Sequence, residues 1–171
     1  MWKKKAETKN PQSTEKAYEY AVFLLGIRLR TEGELREKLR IRDYELRITD
    51  KVIKQLKDLR YIDDQRYAEI FLDNLKKYKS WGYYGIKKKM MEKRLPPSIV
   101  ESVLSEGLSE EEEQKIAERY LKKQETGDKI RDKKPRYQIP TNRGRYGAQQ
   151  KIAQKLRAKG FRGGVIVKAV F

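Results

Sequence analysis

The residues of this chain best suited to chemistry with a partner are cations and aromatic rings. Between Lys76 and Leu95 stand Lys76, Lys77, Lys79, Lys87, Lys88, Lys89, Lys93 and Arg94, opposed only by Glu92 and interleaved with Tyr78, Trp81, Tyr83 and Tyr84. Cations at this density neutralise phosphates, and the rings can stack on bases or on a partner's side chains. The plainer reading is a solvated lysine face beside rings that serve as core or hinge packing. A second basic stretch runs from Lys122 to Arg145, with nine cations, Arg143 and Arg145 among them, against three acids. Over the whole chain 42 Lys+Arg face 25 Asp+Glu, a formal net charge of +17 that draws polyanions or acidic protein surfaces.

Other chemistries find little support. Histidine and cysteine are both absent. The commonest general base, disulfides and thiolate metal sites are therefore excluded. Asp63-Asp64 invites a metal or acid/base reading, but adjacent residues diverge by about 100° around a helix, so capping fits them better. Glu110–Glu113 reads the same way, as acids favouring a helix's first turn. Gly144, Gly147 and Arg162-Gly163-Gly164 follow no strand, match no phosphate-cradling loop and read as turns. No enzyme, catalytic residue, metal or cofactor is expected. The longest apolar runs, Ala21–Leu25 and Gly163–Val167, fall far short of the ~20 residues that span a bilayer. The Met-Trp-Lys-Lys-Lys start lacks the apolar stretch of a signal peptide. A cytoplasmic protein with no membrane partner is the expectation.

The elements that must position these residues are helices. With 39% of residues charged and 37% hydrophobic, thin layers between amphipathic helices suit the chain better than one deep core. One pattern recurs three times: apolar, three residues, apolar, two residues, a cation, one residue, then an apolar or aromatic residue. Leu35, Leu39, Arg42 and Tyr44 form the first copy, Ile86, Met90, Lys93 and Leu95 the second, and Ile152, Leu156, Lys159 and Phe161 the third. The i, i+4 apolar pair marks the buried stripe of a short helix. The residue after each cation (Asp43, Arg94, Gly160) falls where a left-handed C-cap would sit.

A second apolar helix follows each copy, lined by Val52, Ile53, Leu56 and Leu59, by Ile99, Val100, Val103 and Leu104, and by Val165, Ile166, Ala169 and Val170. A longer helix precedes each. Its inward face is read as Ala17, Ala21, Leu24 and Leu25, then Tyr67, Phe71, Leu75 and Tyr78, then Ile116, Ala117, Tyr120 and Leu121. Thr31 with Glu34, and Ser109 with Glu112, are capping boxes. Asp63 and Asp64 are placed to cap the second long helix and Asp50 a shorter one, and Pro97 marks a helix start. The predicted fold is all-α, an elongated solenoid of three tandem three-helix repeats at 15–60, 61–107 and 108–171, after a basic flexible N-terminus at 1–14. The third repeat carries a basic flexible insertion at about 122–147, since Leu121 to Ile152 spans 31 residues where the first repeat needs 10.

Two segments then resemble the RecX family of regulators: Thr31-Glu-Gly-Glu-Leu-Arg-Glu-Lys-Leu39, and Tyr61-Ile-Asp-Asp-Gln-Arg-Tyr-Ala68. Gly82, Ile86, Met90 and Lys93 follow that family's middle-repeat pattern, and Lys159-Gly160-Phe161 its final one. Tyr83-Tyr84-Gly85 and Arg94 depart from it, standing where a proline-and-basic stretch and a glycine are usual. The resemblance implies a non-enzymatic protein that lodges in the groove of a RecA–DNA filament and restrains its growth, ATP hydrolysis and strand exchange. It also implies that Glu34, Leu35, Leu39, Asp63, Asp64, Tyr67 and Ala68 are structural. The expected partners are the RecA filament and single- or double-stranded DNA, the latter through the basic face, with the chain a monomer. The alternative is a stand-alone basic helical nucleic-acid-binding protein with no RecA partner.

Overall fold

A computed structural model of the chain describes residues 13–131 and 142–171, with side chains over 13–124 and 146–171. The described residues fold as nine helices without a strand. In order they are α1 (Thr14–Ile27), α2 (Glu32–Ile41), α3 (Leu46–Asp58), α4 (Asp64–Tyr78), α5 (Tyr83–Glu92), α6 (Pro97–Gly107), α7 (Glu110–Arg131), α8 (Asn142–Ala158) and α9 (Gly163–Val170). The fold is all-α, with a short second helix in the first two repeats (α2 and α5, 10 residues each), but α8, at 17 residues, is longer than α1 and α4, which corrects the expectation of a short helix there.

Local chemistry sets the boundaries. Ser13 caps α1 by accepting from the Lys16 N–H, and Thr31 caps α2 by accepting from the Glu34 N–H. At α7 the capping box is reciprocal: the Glu112 N–H donates to Ser109 Oγ, and the Ser109 N–H donates to Glu112 Oε2. Each second helix of a repeat ends on a left-handed residue, Asp43 at φ 60°, Arg94 at φ 58° and Gly160 at φ 77°. A non-glycine residue in that conformation costs about 1–2 kcal/mol, so packing around Asp43 and Arg94 must hold it. Arg60, at φ 57°, ends α3 the same way.

The backbone divides into two compact units that cut through the middle repeat: residues 1–70 with 90–100, and residues 71–89 with 101–171. In the first unit α1, α2 and α3 enclose Ala17, Ala21, Leu24, Leu35, Leu39, Tyr44, Ile48, Val52, Ile53, Leu56 and Ile62. In the second, α9 packs on α7 and α8. Ile116, Ala117, Ala153, Leu156, Phe161, Val165 and Ile166 are buried there. The anchors Leu35, Leu39, Ile86, Met90 and Leu156 have no exposed surface, so truncating any to alanine should cost about 2–5 kcal/mol.

The structure corrects several expectations. The buried face of α4 is Ala68, Leu72 and Leu75, whereas Tyr67 and Phe71 are half-buried and Tyr78 is exposed. Small Ala68 admits close packing where a ring does not, and the stripe rotates accordingly. Leu59 is exposed at the end of α3, and Ala153 is more deeply buried than the anchor Ile152. Asp50 starts no helix. It lies inside α3 and accepts from Arg36 at 2.5 Å. Gly144, Gly147, Gly163 and Gly164 are helical rather than turns, near the starts of α8 and α9.

The expected insertion is also partly helical. Backbone 122–131 continues α7, and α8 begins at Asn142. Lys, Gln, Glu and Arg propagate a helix without any core to bury, and Gly127 within it costs only about 1 kcal/mol. The N-terminal segment 1–12 and the rest of the insertion, 132–141, lie outside the described residues.

Candidate functional site

Each unit contains one joint of the same design, in which the start of a repeat's second helix sits on the closing turn of the next. In the first unit the Thr31 hydroxyl donates to the Lys93 carbonyl at 2.6 Å. In the second, the Gly82 N–H donates to the Lys159 carbonyl at 3.0 Å and the Tyr84 N–H to the Gly160 carbonyl at 2.8 Å. Thr31 and Gly82 hold equivalent places in the repeat, as do Lys93 and Lys159. The pattern's cation is therefore fixed by its backbone, which leaves its side chain free to point elsewhere.

Space at the joints is tight. A Cβ on Gly33 would stand 2.5 Å from Arg94 Cβ, and one on Gly82 would overlap Phe161. One on Gly160 would overlap the Gly85 backbone.

An acid from the following long helix completes each joint. Asp64 Oδ1 accepts from the Glu32 N–H at 2.8 Å, capping α2, while its neighbour Asp63 accepts from the Arg66 N–H at 2.9 Å and caps α4. The two carboxylates thus serve different helices, which corrects the expectation that both cap α4. Burial pushes Asp64 up from the usual carboxylate range in spite of that hydrogen bond. In the second unit the completely buried Glu113 accepts from the Tyr83 N–H at 3.0 Å and the Arg162 N–H at 2.9 Å, and from Arg162 Nε. The Arg162 guanidinium also lies 5.0 Å from the centre of the Tyr83 ring.

Glu34, another family-motif residue, also does polar work. Burial opposes its charge, but the Arg28 hydrogen bond at 3.1 Å and Lys93 at 3.3 Å outweigh it and hold the carboxyl below its ordinary value. Leu35, Leu39 and Ala68 are fully buried. Tyr67 is half-buried, and burial raises its hydroxyl.

Around these joints the cations of the basic stretch part company. Lys93 and Arg94 belong to the first unit, where Lys93 meets Glu34 and Arg94 lies 3.6 Å from Glu37. The others belong to the second. Lys76 donates to the Gly107 carbonyl at 2.8 Å and to Glu112 at 2.7 Å, closing α6 onto α7. Lys87 pairs with Glu101 at 3.0 Å, which raises its ammonium above the ordinary lysine value. Lys77, Lys79 and Lys88 are exposed, as is Tyr84, whose ring meets Tyr83 edge-on at 5.3 Å.

Trp81 gathers two cations over one ring, Lys159 at 4.2 Å from its centroid and Lys89 at 5.6 Å. Lys159 also reaches Tyr120, at 5.9 Å. The result in the second unit is a surface of lysines and rings, of the type that tracks a phosphate backbone. Arg143 and Arg145 lie in the first turn of α8, and their side chains are outside the described residues.

Sequence reasoning missed Glu113, Arg162, Lys159 and Arg119 here; Arg119 donates to the Lys76 carbonyl at the end of α4. The signal was present for Lys159 alone, as the third copy of the pattern's cation. Among the described residues no group of three or more acids could hold a metal ion. No described helix is long and apolar enough to cross a membrane.

Comparison with known proteins now has a geometry to meet. Residues 17–56, the three helices of the first repeat, match the family model for the first three-helix domain of RecX. The regulatory protein RecX of Oceanobacillus iheyensis is 30% identical over 151 residues, covering 88% of this chain and 51% of the relative. That of Streptococcus pneumoniae serotype 19F is 30% identical over 141 residues, covering 82% and 49%. The chain spans about half the length of these curated relatives. The crystal structure of RecX from Lactobacillus salivarius superposes with a TM-score of 0.75 at 25% identity, covering 92% of this chain and 94% of that one. A second RecX crystal structure shares the fold, with a TM-score of 0.75 at 22% identity over 91% and 72% of the two chains. In its first repeat by the family model, and over most of its length by sequence and fold, the chain is similar to the RecX regulatory proteins.

Proposed function

We propose that this chain is a non-enzymatic regulator of the RecA recombinase, binding RecA filaments on DNA and restraining their growth, ATPase and strand exchange. One observation carries the reading. The polar groups that could do chemistry, Asp64, Glu113, Glu34 and Lys76, are consumed in holding repeats together, while exposed Lys77, Lys79, Lys88 and Tyr84 present charge and a ring outward. Such a molecule binds and positions. Regulation is what the relatives' name states, and RecA as the partner is what the resemblance in the sequence implies. DNA is met by the lysine-rich surface of the second unit, where charge and not base-edge chemistry sets affinity.

The test is co-sedimentation with RecA filaments on single-stranded DNA, using the chain and its Lys77→Glu, Lys79→Glu, Lys88→Glu variant. Lys87 is left alone because Glu101 already engages it. Retained helicity with weaker co-sedimentation, and a log–log salt slope reduced by about one per lysine, supports the reading. Unchanged co-sedimentation moves the DNA-facing surface away from this stretch. An unchanged slope with lost binding says that these lysines meet acidic protein.

A further inference from the structure

The first unit holds a groove of about 320 Å³ between the end of α1, the end of α3 and the start of α4. Leu29, Tyr61 and Ile70 form its apolar lining and Arg30, Arg60 and Arg66 its cations. Leu29 and Tyr61 are 60% and 57% exposed, although each sits beside buried core.

Three observations say that the arginines are there for a ligand. First, among the described residues none of the three forms an ion pair. Arg30 Nε donates to the Leu24 carbonyl at 3.2 Å, which aims the side chain without neutralising it. The groove next to α2 is also rich in arginine, but there Arg36 is matched by Glu32 and Asp50, and Arg40 and Arg94 by Glu37.

Second, Arg60 occupies a left-handed backbone position, at φ 57°, that glycine would fill without strain. Keeping an arginine there opposes stability, and a site that retains strain points to a use for the side chain.

Third, the residue types are those of protein interfaces. Arginine, tyrosine and aliphatic side chains line the groove and lysine is absent from it. Asp63 also faces this groove and repels any anion, carboxylate or phosphate, but three arginines stand against that one acid. At this volume the groove is at the small end of binding clefts, about 300–1,000 Å³. It admits a side chain or two, and no folded element.

We propose that this groove is a docking site for an acidic segment of a partner protein, whose carboxylates meet Arg30, Arg60 and Arg66 while one apolar side chain enters against Leu29, Tyr61 and Ile70. The proposal rests on the reading that the chain regulates a protein partner, and it assigns that partner a surface separate from the lysines that meet DNA.

The experiment titrates the full chain with the peptide acetyl-Glu-Asp-Leu-Glu-Asp-amide, and separately with a five-nucleotide oligothymidylate. It follows the arginine Nε–H and the Leu29 and Ile70 methyl signals by NMR. The peptide should shift these groups and the oligonucleotide should not. Arg60→Gly combined with Arg66→Ala should weaken peptide binding roughly tenfold or more. Because glycine relaxes the backbone at position 60, Arg60→Gly alone should weaken the peptide without lowering the melting temperature, a split that a structural role for Arg60 would not produce.

Silent methyl and guanidinium signals with the peptide overturn the proposal, and equal shifts with the oligonucleotide convert the groove into a nucleic-acid site. RecA co-sedimentation of the double variant separates the two levels. Parent and variant sedimenting alike overturns the groove and leaves the regulator reading standing. A parent that ignores RecA filaments but whose groove titrates with peptide keeps the groove and removes RecA as its partner.

Discussion

Glu113 grips Arg162 at two points, by accepting the Arg162 backbone N–H at 2.9 Å on one carboxylate oxygen and the guanidinium Nε on the other. The same first oxygen accepts the Tyr83 N–H, so a single buried side chain ties the starts of α5 and α9 to α7. Repeats that bury only thin layers depend on such ties. Nearest-neighbour contacts are the terms that make a repeat array cooperative.

Removing that carboxylate should be severe. Glu113→Ala leaves a half-buried guanidinium and two backbone N–H groups without their acceptor, a loss of about 3–5 kcal/mol. For a chain of this size that lowers the melting temperature by roughly 6–20 °C in circular dichroism. Glu111→Ala, an exposed residue of the same helix turn, should shift it by less than about 2 °C. Equal effects from the two would remove Glu113 from the joint.

This contrast marks where the sequence stops being readable. The repeat anchors were legible because apolar pairs four residues apart report burial directly, and Asp43, Arg94 and Gly160 turned out left-handed where their spacing placed them. Asp64 and Glu113 were legible only as acids near helix starts. Which N–H each accepts, that of Glu32 or of Tyr83, depends on a helix some 30 residues away and on how the repeats stack. The face of α4 was misread because its aromatic residues outweighed Ala68 and Leu72 in the pattern, although rings at a surface need only partial burial. The site fared similarly: cation and ring types announced a polyanion-binding surface, but the sequence did not show that Lys76, Lys87 and Lys93 are spent on internal partners.

The joints predict opposite outcomes at equivalent positions. Gly160→Ala puts a Cβ into the Gly85 backbone at a left-handed residue, with no flexible neighbour to yield. A loss of about 2 kcal/mol or more is expected from overpacking and strain together. Arg94→Gly relieves the strained conformation while giving up a partly exposed pair with Glu37. Those terms nearly cancel, and its melting temperature should stay within about 3 °C of the parent. Thermal melts of the two variants check both. A tolerated Gly160→Ala would mean that the second joint is looser than its hydrogen bonds indicate.

Acid should dissolve the Glu34 cluster. Its folded carboxyl titrates below the usual value, so the stability it contributes is present above about pH 4.3, where the unfolded group ionises, and is lost as pH falls through the lower folded value. Glu32 and Glu112 have the same sign, whereas Asp64, pushed up by burial, has the opposite one. Glu34→Gln should lower the melting temperature by about 2–4 °C at pH 7, for about 1 kcal/mol between partly exposed partners. Parent and variant should converge once the pH has fallen through that folded value. A gap that persists in acid would assign the loss to packing.

The central claim, regulation of a recombinase filament, is tested most directly by RecA's DNA-dependent ATPase with naked competitor DNA in excess. A filament regulator lowers the ATPase and goes on doing so as competitor is added, because it binds protein and DNA together on the filament. If the suppression disappears in proportion to the competitor, the chain is a stand-alone DNA-binding protein and the regulator reading is contradicted.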